Sequence, residues 1–145
     1  MLKWLASKWR KFDIVKEVDG QQVLYLRRFF LWRCRWFNIF LHYIPQPDTD
    51  RDPHDHPWSF VSILLRGGYE EEIYSLRTSH VASFRRAPSI ARRKAGCVHQ
   101  IRAVLANTWT LVITGPYRRH WGFLTHDGWK YWRDYLNIHT EVDMD

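Results

Sequence analysis

Two histidines separated by one residue, in the string Asp52-Pro53-His54-Asp55-His56-Pro57-Trp58, are the residues of this chain best suited to chemistry. Side chains two apart on extended backbone leave on the same face, so the imidazoles of His54 and His56 can aim at one point. Converging imidazole nitrogens suit a transition metal. Such a pair needs a third donor, and His99 in Gly96-Cys97-Val98-His99 is the candidate. The competing reading is a polar turn with solvent-facing histidines, because short motifs match by chance. No Gly-rich phosphate loop, Ser-His-Asp order or Cys-x-x-Cys zinc ribbon offers a rival chemistry.

The elements that must position these side chains read as short strands. Asp19-Gly20 is a turn between two extended segments. Residues 21–32 and 33–44 are rich in β-branched and aromatic residues and read as consecutive strands. In the second of these, Asn38, Phe40, His42 and Ile44 share a face. His42 is then a core histidine or a neighbour of the metal ligands. Further strands are expected at 60–65, 69–76, 81–84, 99–104 and 108–114, with Arg66-Gly67-Gly68 turning the first of them. Residues 121–129 suggest a hairpin with Asp127-Gly128 at its tip, and 130–137 a closing helical turn. Leu2, Leu5, Trp9 and Phe12 are spaced for a short amphipathic, basic helix over 1–12, which packs on the body of the protein or on a second copy, with a membrane surface as the alternative. Many short strands separated by Gly and Pro turns imply an all-β sandwich or barrel.

A chain of 145 residues suits one domain: the helix at 1–12, a barrel core at 21–115 and a C-terminal extension at 116–145. The formal charge of +7 favours anionic partners without choosing among them, since the arginines are spread along the chain. Interleaved Arg33, Arg35, Trp36 and Trp121 leave nucleic acid as one such partner. Two cysteines, Cys34 and Cys97, make no disulfide framework and fit a reducing cytoplasm. The apolar stretch 23–44 is interrupted by four arginines, which rules out a membrane-spanning helix there.

Taken with the strand pattern, His54-x-His56 and Gly68 resemble the first motif of the cupins, G-x5-H-x-H-x3,4-E-x6-G. Gly96-x2-His99 resembles the second, G-x5-P-x-G-x2-H-x3-N, with Lys94 in place of the proline and Ala103 in place of the asparagine. The fuller strings, with Gly115-Pro116 and Trp121-Gly122-Phe123, are similar to stand-alone cupins common in phages and bacteria. The resemblance implies a double-stranded β-helix, a jelly-roll barrel, with a metal on His54, His56 and His99. The family's glutamate ligand would fall near Val61 or Ser62, and neither can replace it. Either three histidines hold the metal alone, as in cupins that resemble cysteine dioxygenase, or a nearby acid substitutes. Glu70 is the candidate acid, with Glu72 on its face and Glu71 competing by parity.

Three neutral imidazoles leave the charge of a divalent ion uncancelled, so such a site favours a small, anionic, chelating substrate. Fe(II) is favoured, for dioxygenase-type chemistry; Zn, Mn or Ni would polarise a carbonyl or activate water. Asp52 and Asp55 are candidates to orient the histidines, and Arg102 to hold a substrate carboxylate. The alternatives are a non-catalytic cupin that binds a ligand or partner, with a structural metal or none, and a nucleic-acid-binding accessory protein. A homodimer fits the aromatic N-terminal segment.

Overall fold

A computed structural model describes residues 10–49 and 51–137. The helix expected over 1–12 lies largely outside them. Lys11 and Phe12, placed in it by spacing, instead begin strand β1 (Lys11–Val18), where they pair with Phe29 and Arg28. Pairing with a neighbouring strand outweighs a helical spacing carried by so few residues.

β1 turns into β2 (Gln21–Arg33) through Asp19-Gly20, both at positive φ (50° and 77°). That is the backbone of a two-residue hairpin turn whose twist matches the strands. β2 pairs with β3 (Asn38–Ile44) across Cys34-Arg35-Trp36-Phe37, which reverse the chain. The sequence reading had run a strand through these four residues. They contain none of the usual turn formers, and the reversal is held by the Cys34 N–H and thiol, both 3.2 Å from Phe37 O. Next come β4 (Phe60–Arg66), β5 (Gly68–Leu76), β6 (Ser79–Arg86), β7 (Ser89–Arg93), β8 (Val98–Val104) and β9 (Thr108–Thr114). β7 was not expected, being a short edge strand that ends in two arginines. The hairpin β10 (Gly122–Thr125) and β11 (Gly128–Tyr131) follows, then the short helix α1 (Trp132–Tyr135).

The strands form two facing layers. One sheet has the order β1-β2-β3-β9-β4-β7, the other β6-β5-β8, and every pairing is antiparallel. His54 joins β10-β11 to the second sheet by bridging His99 on one side and Phe123 on the other. The two sheets are not closed on each other, since β6 and β7 each have one partner strand among the described residues.

Strand alternation sorts the interior by level. Residues opposite one another on paired strands share a face, so Leu26, Arg28 and Phe30 look inward with Phe40, His42 and Ile44. At one end Leu26, Ile44 and Leu64 meet Tyr69, Ile101 and Val104 from the facing sheet in an apolar plug. The polar residues occupy the levels above it. At the turn into β5, Gly67 has φ 75°, and a Cβ there would strike Thr108 of β9. Only glycine allows that approach.

Candidate metal centre

The segment around His54 is tied by backbone on both sides. His54 and His99 exchange both amide hydrogen bonds (3.0 and 2.9 Å), Asp55 N donates to Gly122 O (3.0 Å) and Leu124 N to Pro53 O (2.7 Å). A directly opposed pair projects its side chains to the same face. His54 and His99 therefore leave the backbone together, and His56, two residues on, joins them. Ring centroids lie 5.1 Å apart for His54–His56, 4.8 Å for His54–His99 and 5.1 Å for His56–His99. One ligating atom from each falls within 4.8 Å of the others.

An acid stands beside each of two of these rings. Glu71 Oε1 lies 2.8 Å from His99 Nδ1 and Glu71 Oε2 2.6 Å from Arg93 Nη2, so the carboxylate joins the histidine to a cation on β7. Glu71 is 2% exposed. Burial pushes its carboxyl up, but hydrogen bonds from His99 and Arg93 outweigh that and bring it to about 2. With Nδ1–H committed to Glu71, His99 presents the lone pair of Nε2 inward. Asp48, also buried, stands 3.5 Å from His54 Nδ1 through Oδ2 while Oδ1 accepts from Ile101 N at 2.6 Å. Burial, then their like neighbours, hold His54 and His56 well below the usual histidine range. Both are neutral at pH 7, the state in which imidazole binds metal.

One pair of donors already stands at the spacing of two ligands on one ion. His56 Nε2 is 2.9 Å from His99 Nε2. Two nitrogens at right angles on one metal, each bonded at about 2.0–2.1 Å, lie about 3 Å apart. Phe60, 5.0 Å from His56 and 6.2 Å from His99, and Phe123, 6.1 Å from His54, wall the cluster with apolar rings.

The other residues singled out by sequence lie elsewhere. Asp55, 1% exposed, faces away from the histidines and accepts from Gly122 N (2.8 Å), Trp129 Nε1 (3.0 Å) and Arg119 Nη1. It fastens the C-terminal hairpin to the histidine segment. Asp52 pairs with Arg77 at 3.2 Å, and its N–H donates to Tyr135 Oη at 3.0 Å. Arg102 is the extra residue of a bulge between Ile101 and Ala103; itself exposed, it reaches the buried Gln100 and Glu72 on the face of β8 and β5 away from the histidines. Glu70 pairs with Phe84 and Ala103 on that outer face, so parity takes it away from the cluster and brings Glu71 in. His42 does face the interior, where Arg28 Nε donates to its Nε2 at 3.0 Å. Asp48, Arg93 and Arg28 carried no recognisable signal, because each is defined by a partner distant in sequence.

Comparison with family profiles and with curated proteins gives no match. Solved structures do match. A cupin 2 conserved barrel domain protein from Rhodopseudomonas palustris superposes with TM-score 0.61 at 12% identity, covering 83% of this chain and 81% of its own. The chain has the cupin-type double-stranded β-helix fold. A Klebsiella pneumoniae protein with a double-stranded β-helix domain gives TM-score 0.53 at 15% identity, over 75% of this chain and 89% of the other. Fe(II) HppE gives 0.58 at 11% identity, over 75% of this chain and 57% of that enzyme. At these identities the likeness carries the fold and no reaction.

Proposed function

We propose that this cupin holds a divalent metal ion on His54, His56 and His99 and acts on a small anionic molecule that chelates it. The convergence of three histidine donors, one held in a fixed tautomer by buried Glu71, carries this reading. The donors supply no negative charge of their own, so an anionic ligand completes the charge balance. A bound Fe(II) would supply dioxygen chemistry and is favoured; Zn, Mn or Ni would supply Lewis acidity in the same site. Glu71 orients the His99 ring and Asp48 stands 3.5 Å from His54, while Phe60 and Phe123 set apolar rings beside the donors. Oxygen uptake by the Fe(II)-loaded protein, tried with small thiols, diketones and carboxylates, tests the oxygenase reading. Substrate-dependent uptake that is lost in His99→Ala is expected. Uptake with none of them would leave a ligand-binding cupin.

A second reading draws on the β2–β3 turn. Trp36 is 64% exposed and carries the Arg35 guanidinium 4.4 Å from its ring centroid, beside Arg33 and the exposed Tyr117. Such a surface stacks unpaired bases. Binding to single-stranded DNA that weakens with salt and is lost in Trp36→Ala would favour it; no binding at low salt removes it.

A further inference from the structure

A partly buried cation on the inner face of the larger sheet has no acid to balance it among the described residues. Arg28 leaves the inner face of β2 between Leu26 and Phe30, opposite His42. Its Nε donates to His42 Nε2 at 3.0 Å and its guanidinium sits 4.7 Å from the centre of the Phe40 ring. Among the described residues no carboxylate forms an ion pair with it, and neither terminal nitrogen makes a hydrogen bond. The contrast with its neighbours is sharp: Arg93 has Glu71 and Arg119 has Asp55. A ring face and one neutral acceptor replace only part of the hydration that a partly buried guanidinium gives up. Burial, with Arg33 nearby, draws its pKa down to about 10, so it is still charged at neutral pH.

Its level in the fold places it across from the histidines. Leu26 and Ile101 both belong to the apolar plug. Arg28 follows Leu26 by two residues along β2, and His99 precedes Ile101 by two along β8, so each is the next inward residue above the plug on its own sheet. Facing sheets stand about 10 Å apart. A molecule of a few carbon atoms spans that gap. A surface cavity of about 560 Å³ is lined by Arg33, Arg35, Asn38, Phe40, Trp58 and Tyr117, and the Phe40 ring among these is the one over which the Arg28 guanidinium sits. The two outer arginines draw anions toward it.

We infer that Arg28 anchors the ligand of this site by its oxyanion, a carboxylate gripped by the two terminal nitrogens, while the ligand's other end reaches the histidine cluster. With Nε held by His42, the two Nη groups form the fork that matches a carboxylate. Arg102, the arginine that the sequence offers for a carboxylate, is exposed and lies 3.6 Å from Glu72. The assignment rests on the metal reading only for the ligand's second point of attachment; the anion site stands on Arg28 itself.

The test uses the Co(II)-loaded protein, whose absorption reports thiolate binding, with 3-mercaptopropionate and 1-propanethiol as probes. Wild type is expected to prefer the carboxylate-bearing thiol by about thirtyfold or more. Arg28→Met should keep its Co(II) and lose the preference, Arg28→Lys should keep part of it, and Arg102→Met all of it. A preference unchanged in Arg28→Met, or absent from wild type, overturns the inference while the metal site stands. Should wild type take up no Co(II), the metal reading fails, and propionate titrated into the metal-free protein decides the arginine alone. A saturable shift of the Arg28 Nε–H resonance supports the anion site, and its absence overturns it.

Discussion

His99 has both ring nitrogens committed, Nδ1 to Glu71 at 2.8 Å and Nε2 toward His56 at 2.9 Å. Glu71 therefore acts on the site without being a ligand. Replacing it by glutamine keeps the shape, removes the charge and strands Arg93. Glu71→Gln is expected to weaken metal affinity by about 10–100-fold, measured by competition with a chelating dye. It should also lower stability by about 3 kcal/mol in denaturant unfolding, the usual cost of breaking a buried pair. The residues that could ligate were legible in the sequence, because His-x-His on extended backbone needs no tertiary knowledge. Their supports were less so. The glutamate could not be chosen among Glu70, Glu71 and Glu72 without knowing that a bulge at Arg102 sets Glu71 diagonal to His99.

Among the elements, strands with clean alternation and Gly or Asp-Gly turns were recognisable, and those ended by other means were not. Asp19-Gly20 and Gly67 declare themselves, whereas Cys34-Arg35-Trp36-Phe37 reverses the chain with residues that favour strands. Gly67→Ala should cost at least about 1–2 kcal/mol from its positive φ alone, and more from contact with Thr108. The β1–β2 hairpin carries a paired Asp13 and Arg27, with two bonds of 2.7 Å. The hydrogen bond from Arg27 lowers the Asp13 carboxyl from its ordinary value of 3.8. A lowered folded value means that the pair stabilises the hairpin above pH 3.8 and ceases to do so as pH falls through the lowered one. Asp13→Asn is therefore expected to cost less than about 1 kcal/mol at pH 7, since the pair is near the surface. The difference from wild type should vanish in acid, as read from thermal melts across pH.

At the scale of the whole molecule, the apolar plug and the histidines occupy different levels of one interior, while Phe29, Leu41 and Trp109 pack on the other face of the larger sheet. The plug of Leu26, Ile44, Leu64, Tyr69, Ile101 and Val104 holds the sheets together. The level above it holds Arg28 and His42 on one sheet and the histidine cluster on the other. Leu64, fully buried, makes the separation testable. Leu64→Ala should lower stability by about 2–5 kcal/mol while leaving metal content unchanged in protein that is still folded. No helix among the described residues is long and apolar enough to cross a membrane.

The proposed metal centre joins His54, His56 and His99. Elemental analysis of protein purified without chelators, with Co(II) reconstitution of the stripped protein beside it, tests this most directly. About one transition-metal ion per chain is expected in wild type, with its loss from His54→Ala and His99→Ala, both still folded by circular dichroism. Wild-type protein that takes up no ion, or alanine variants that keep the wild-type content, would contradict the proposed centre.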